Sequence, residues 1–139
     1  MNAQFILLPL LLQIALTLAM YIALTRAKLK AVGLGQVDEQ RRALHDDAWP
    51  DSVVKINNNI RNQFEAPVLF YVLVFALLHL GAVGWLAQLL AWLFVLSRIA
   101  HAVVHAGANR VPLRRRIFTF GCVILMLMTA LAAWVLVVH

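Results

Sequence analysis

Long apolar runs alternate with short polar stretches along this chain. The runs are Phe5 to Leu24, about Ala66 to Leu80, about Val83 to Val104, and Ile117 to Val138. An α-helix rises about 1.5 Å per residue and needs roughly 20 residues to cross the hydrocarbon core of a bilayer. The first, third and fourth runs meet that length alone. The second meets it only by extending back through Asn58, Arg61, Asn62 and Glu65, which draws polar side chains into a membrane helix. None of the runs alternates in polarity, as the strands of a membrane β-barrel would. The pattern predicts an all-α protein, an integral membrane four-helix bundle in a single transmembrane domain over residues 1–139. Its helices are expected at about 5–25, 56–80, 83–106 and 114–138, with a polar loop at about 27–55.

Composition and charge refine this. The chain is 63% hydrophobic and only 13% charged, where soluble domains carry about a quarter charged residues. A net charge of +6 would by itself admit nucleic acid. The cations, however, fill gaps between apolar runs rather than forming a stripe or a tail, so the expected partner is the lipid bilayer and not nucleic acid. The first run has no preceding cation and ends in Arg26, Lys28 and Lys30, which reads as a retained anchor rather than a signal peptide. All 12 Lys and Arg residues lie between Arg26 and Arg61 or between Arg98 and Arg116. Basic loops stay cytoplasmic, so both termini are expected on the non-cytoplasmic side. Trp85 and Trp134 fall at the outer interface, whereas Trp92 does not. The loop, which holds Asp38, Glu39, Asp46, Asp47 and Asp51, reads as a solvated connector. Cys122, alone in the fourth run, reads as packing.

The polar residues of the second run carry the candidate chemistry. Asn58, Asn62 and Glu65 stand at i, i+4 and i+7 on one helical face, with Arg61 at its edge. An ionisable group at membrane depth costs several kcal/mol unless paired, so Glu65 marks a functional site. Arg98, His101 and His105 form a matching stripe on the third helix. Antiparallel helices bring Glu65 and Arg98 to similar depth, and the two are expected to form an ion pair. A purely structural reading makes that pair a register lock and His101 a core histidine. His101 and His105 lack a further ligand on another helix, so no metal is expected. No Gly-interrupted helix pair suggests a channel or transporter. Pro112 suits the start of the fourth helix. Arg110 and Arg114 can face the bundle and offer planar forks to an anion, while Arg115 and Arg116 serve as positive-inside charges.

Three motifs in order carry a resemblance: Asn62-Gln63-Phe64-Glu65, Arg98-Ile99-Ala100-His101, and Arg110-Val111-Pro112-Leu113-Arg114. With four helices and a long first loop, they resemble the MAPEG family, membrane-associated proteins in eicosanoid and glutathione metabolism. The resemblance covers nearly the whole chain and looks like a divergent bacterial-type member of an inner membrane. It implies a homotrimer that binds glutathione between subunits and acts as a transferase or peroxidase on a lipophilic small molecule. On that resemblance Arg114 looks like the thiolate-stabilising catalytic residue. Arg61, Asn62, Glu65 and His101 look like glutathione contacts, and Arg26 like the arginine contributed by a neighbouring subunit.

The chain also departs from the family pattern. Asn58 stands where characterised glutathione users carry arginine, His105 and Phe118 where several carry tyrosine, and Arg115 where some carry a small hydroxyl residue. Pro67 lies closer to the glutamate than is usual. Two readings therefore stay open. One is a glutathione-dependent enzyme acting on lipophilic electrophiles. The other is a non-catalytic membrane module that binds a lipid or small anion, with Glu65–Arg98 as a structural pair.

Overall fold

The computed structural model describes residues 3–138. A 3-10 turn at Ala3–Ile6 leads into α1 (Leu7–Gly33). A connector with one 3-10 turn (Asp46–Ala48) follows, then α2 (Asp51–Gln63), α3 (Ala66–His79), α4 (Trp85–Ala106) and α5 (Val111–Val138). No strand occurs among the described residues. Four helical segments are long and apolar enough to cross a membrane: Ala3–Gly33, Asp51–His79, Trp85–Ala106 and Val111–Val138. The all-α four-helix bundle is thus present, with its second span made of two helices.

Helix ends follow capping chemistry rather than hydropathy. α1 continues past Arg26 through Ala27, Lys28, Leu29, Lys30 and Ala31, all good helix formers. It stops at Gly35, whose φ of 65° an L side chain rarely adopts. There the Gln36 N–H reaches the Ala31 carbonyl and the Gly35 N–H that of Val32, both at 3.0 Å. Gly81 closes α3 with the same pair of bonds, from Ala82 to Leu77 and from Gly81 to Leu78. The polar connector is accordingly shorter than the apolar pattern predicts, running between Gly33 and Asp51.

The break between α2 and α3 has a covalent cause. Pro67, in the first turn of α3, offers no N–H to the Gln63 carbonyl, and in an unbroken helix its ring would press on that carbonyl. The chain turns at Phe64 and Glu65 instead, with Glu65 at φ −101° and ψ −100°. Tighter bonds bridge the turn, from the Phe64 N–H to the Arg61 carbonyl and from the Glu65 N–H to the Asn62 carbonyl.

α4 is the central element and touches all four other helices. Its Ala87, Leu90, Ala91, Phe94 and Val95 meet Phe70, Val74 and Leu77 of α3 and Ile124, Leu125 and Met128 of α5. Phe70 and Phe94, both fully buried, stack with ring centroids 4.6 Å apart. A smaller cluster of Met20, Ile60 and Ala102 lies nearer the connector. Leu8, Leu11, Leu18 and Ile22 of α1 and Phe120, Met126 and Leu127 of α5 point outward. In water such a surface would aggregate; on membrane spans it is the lipid-facing side.

Candidate functional site

Polar side chains are gathered inside the half of the bundle that bears the connector. α2 directs Asn59 and Gln63 into the core, one turn apart, where they are 0% and 1% exposed. Gln13 of α1, also fully buried, donates from Nε2 to Gln63 Oε1 at 2.8 Å. Gln63 Nε2 in turn donates to Asn59 Oδ1 at 3.1 Å. Asn59 Nδ2 and Asn62 Nδ2 then approach the same ring nitrogen, His105 Nδ1 of α4, at 3.5 and 3.4 Å. A chain of amides therefore runs from α1 through α2 to a buried histidine of α4. Pairing each amide matters because an unpartnered polar group is costly at membrane depth.

Next to this chain lies the Arg98, His101 and Phe118 group. Arg98 is 1% exposed. Its Nη2 donates to the Asn62 carbonyl at 3.4 Å, an oxygen that the Glu65 N–H also reaches across the turn, while its Nε has no partner. The guanidinium lies over the Phe118 ring at 5.7 Å from the centroid. His101 is 2% exposed, and neither of its ring nitrogens has a hydrogen-bond partner. It meets His105 edge-on, with centroids 5.4 Å apart, and Phe118 at 5.8 Å.

Three clefts lie around this group and its neighbour His105. A polar cleft of about 360 Å³ is lined by Asn62, Glu65, His101, Arg114, Arg115 and Phe118 with Val111. A second, of about 250 Å³, shares Arg114 and is walled by Asp51, Lys55, Asn58, His105 and Asn109. An apolar groove of about 730 Å³ runs between α3 and α5 along Leu69, Leu73, Cys122 and Met126. Phe118 lines both the apolar groove and the first polar cleft. Arg114 stands between the two polar clefts and donates to Asn109 Oδ1 at 2.7 Å.

The candidate residues are distributed unevenly over these features. Asn62, Glu65, His101 and Arg114 come together in one cleft. The expected Glu65–Arg98 ion pair does not form: among the described residues the ion pairs are Arg41–Asp47, Arg42–Glu39 and Arg61–Asp46. The break at Phe64–Glu65 is the reason. It turns Glu65 to the exposed side and leaves a backbone carbonyl, not a carboxylate, in reach of Arg98. Arg61 is held away from the cleft by Asp46 of the connector and by Asn58 Oδ1 at 3.3 Å. Arg26 lies exposed on α1 and lines none of the three clefts. Gln13 and Asn59 are not among the sequence-predicted residues, and Gln63 is there only as part of the Asn62–Glu65 motif, because Asn59 and Gln63 lie off the Asn58–Asn62–Glu65 face. Their signal was present: Asn59 and Gln63 are spaced i, i+4, and Gln13 is an amide inside an apolar run. Among the described residues no three His, Cys, Asp or Glu side chains gather as metal ligands.

The sequence model of the MAPEG family matches residues 6–134. The chain belongs to the MAPEG family. It is therefore an integral, multi-pass membrane protein of that four-helix class, and the family's general link is to glutathione. No curated protein and no solved structure matches the chain. The MAPEG motifs read from the sequence flank one feature, the cleft between the end of α2 with its following turn, α4 and α5.

Proposed function

We propose that this MAPEG protein is a membrane-embedded, glutathione-dependent transferase or peroxidase acting on lipophilic electrophiles. One observation carries the reading: a polar cleft holding Asn62, Glu65, His101 and Arg114 abuts an apolar groove, with Phe118 in both walls. A peptide thiol and a bilayer-soluble electrophile need just such adjoining seats, and both volumes fit the range of small-molecule sites. Glu65 accepts from the peptide's amine, Asn62 and His101 contact its backbone, and the arginines hold its carboxylates. A neighbouring subunit of a homotrimer contributes Arg26, which accounts for its distance from this chain's own clefts. The basic end of the bundle faces the cytoplasm of a bacterial inner membrane, with both termini on the other side.

Arg114 supplies the chemistry. A free thiol with a pKa of about 8.5 is only about 3% thiolate at pH 7. A guanidinium that lowers this by about two units, roughly 2.7 kcal/mol, makes about three quarters of it thiolate. The thiolate attacks the electrophilic carbon, a thioether forms, and the displaced electron pair leaves with a departing group or is protonated from water. Purified protein saturated with glutathione is expected to show ultraviolet thiolate absorbance that Arg114→Ala abolishes. Absence of the signal in the wild type overturns the enzyme reading. The second reading, a non-catalytic module for a lipid or small anion, draws support from Asn58 and from Arg61, whose guanidinium is engaged by Asp46.

A further inference from the structure

The buried amide chain points at a single atom. Asn59 and Asn62 both present an amide N–H to His105 Nδ1. Two donors can converge on a ring nitrogen only where it carries a lone pair, so the imidazole proton resides on Nε2. Each donor shares the acceptor with the other, which suits contacts as long as 3.5 and 3.4 Å. Behind Asn59 the chain opposes inversion of that residue alone: it can turn over only together with Gln63 and with Gln13, whose Oε1 has no partner. The Asn59 oxygen is occupied by Gln63 Nε2, and the Gln63 oxygen by Gln13 Nε2. Turning Asn59 over alone would set its N–H against the Gln63 N–H and its oxygen against a lone pair. All three amide residues are no more than 1% exposed, so no solvent is at hand to repair such a mismatch.

His105 lines the cleft it shares with Asp51, Lys55, Asn58, Asn109 and Arg114. We propose that Gln13, Gln63 and Asn59 are positioning residues that hold His105 in its Nε2–H tautomer, so that in the cleft joined to the thiol site at Arg114 it serves as a hydrogen-bond donor and not as a base. The proposal rests on the glutathione reading for its ligand, and only for that. A donor between Lys55 and Arg114 addresses an anionic oxygen of the bound peptide, while proton removal from the thiol is left to the arginine. Gln13 thereby links the middle of α1 to ligand binding with no contact to the ligand.

The test is a spectroscopic one on the full-length protein in lipid nanodiscs, with nitrogen-15 in the histidine rings. His105 signals are assigned by their loss in His105→Gln. The wild type is expected to show one tautomer, with Nδ1 bare and Nε2 protonated. Gln63→Leu is expected to let the Nδ1–H form appear, and to weaken glutathione binding several-fold with helix content unchanged. A wild-type proton on Nδ1, or a His105 tautomer indifferent to Gln63→Leu, overturns the proposal. Should Gln63→Leu fail to fold, Gln13→Leu removes the far link and is read by the same signal with the same expectation. The ring signals need no ligand, so a correct tautomer in a protein that does not bind glutathione refutes the glutathione reading and leaves the hold on His105 standing.

Discussion

Gly121 of α5 offers a test of packing that is independent of function. A methyl group added there would lie 3.1 Å from Ser97 Oγ and 3.7 and 3.9 Å from two atoms of the Phe94 ring. The ring distances are ordinary contact; the hydroxyl distance is too short. Ser97 Oγ is itself held at 2.6 Å by the Phe94 carbonyl, so it cannot simply swing away. Two effects therefore oppose each other in Gly121→Ala. Replacing glycine inside a helix gains about 1 kcal/mol, while forcing a group into a packed helix contact costs about 1–3 kcal/mol. The single variant is expected to be neutral to about 2 kcal/mol destabilised. In a Ser97→Ala background the obstructing oxygen is gone, only ordinary ring contacts remain, and the same substitution is expected to stabilise by about 1 kcal/mol. The coupling is then about 1–3 kcal/mol, well above the few tenths typical of independent sites. Reversible unfolding in bicelles, followed for the four proteins of the cycle, measures it. If Gly121→Ala has the same effect in both backgrounds, the close approach of α4 and α5 at this point is refuted.

Four further outcomes are expected. Pro67→Ala restores an amide to α3 and by itself favours a continuous helix, yet it should destabilise the wild type by closing off the Asn62 carbonyl from Arg98. In an Arg98→Met background it should stabilise, and equal effects in both backgrounds, again by unfolding in bicelles, would contradict the linkage. Asn58→Arg should tighten glutathione binding about tenfold or more, the worth of a charge-assisted hydrogen bond of about 1.5–3 kcal/mol; calorimetry showing unchanged affinity counts against glutathione reaching past Arg114 into the cleft that Asn58 walls. Crosslinking in mild detergent should yield three subunits, and a clean monomer would remove Arg26 from any shared site. In the connector, the hydrogen bond and charge of Arg41 hold the Asp47 carboxyl below its ordinary value of 3.8. A lowered folded-state pKa gives stability that is present above that value and is lost as pH falls through the folded one. Both groups are exposed, so the effect is small and local. Hydrogen exchange of the connector in acid, corrected for intrinsic rates, should rise in the wild type and lose that extra rise in Asp47→Asn.

The four crossings were legible in the sequence because lipid imposes a length and a composition on any helix within it. The helix ends that border the connector were not. Hydropathy reports where lipid gives way to water, whereas α1 runs on to Gly33 because Ala27 to Ala31 favour helix and Gly35 supplies the turn. The interruption of the second span was written in Pro67, but a proline near a helix start and one within a helix look alike until the partner helices are in place. The cleft residues Asn62, Glu65, His101 and Arg114 were named because polar groups in apolar runs stand out. The Glu65–Arg98 pair follows from matching depth alone, and a helix break changes direction without changing depth. Gln13 went unremarked because one amide in an apolar run declares no partner; it acquires meaning only beside Gln63 of another helix.

The break and the buried arginine explain each other. The turn leaves the Asn62 carbonyl only a long 3.4 Å bond from the Glu65 N–H and room for a second donor, and a guanidinium placed there without a carboxylate needs acceptors that lipid cannot offer. Bringing Arg98 to the Asn62 carbonyl answers part of both needs. What remains unanswered is also informative: Arg98 Nε and both ring nitrogens of His101 are without partners, as is Gln13 Oε1 at the far end of the path that links Gln13, Gln63, Asn59 and His105. Glu65, freed from Arg98 by the same turn, is left facing the cleft that His101 also lines. A structural ion pair would have satisfied these groups internally and needed no ligand. Their separation leaves the Glu65 carboxylate and the His101 imidazole with capacity to spare on one cleft, and the Arg98 Nε unpartnered in the core, which is the condition under which binding, rather than folding, completes the polar core.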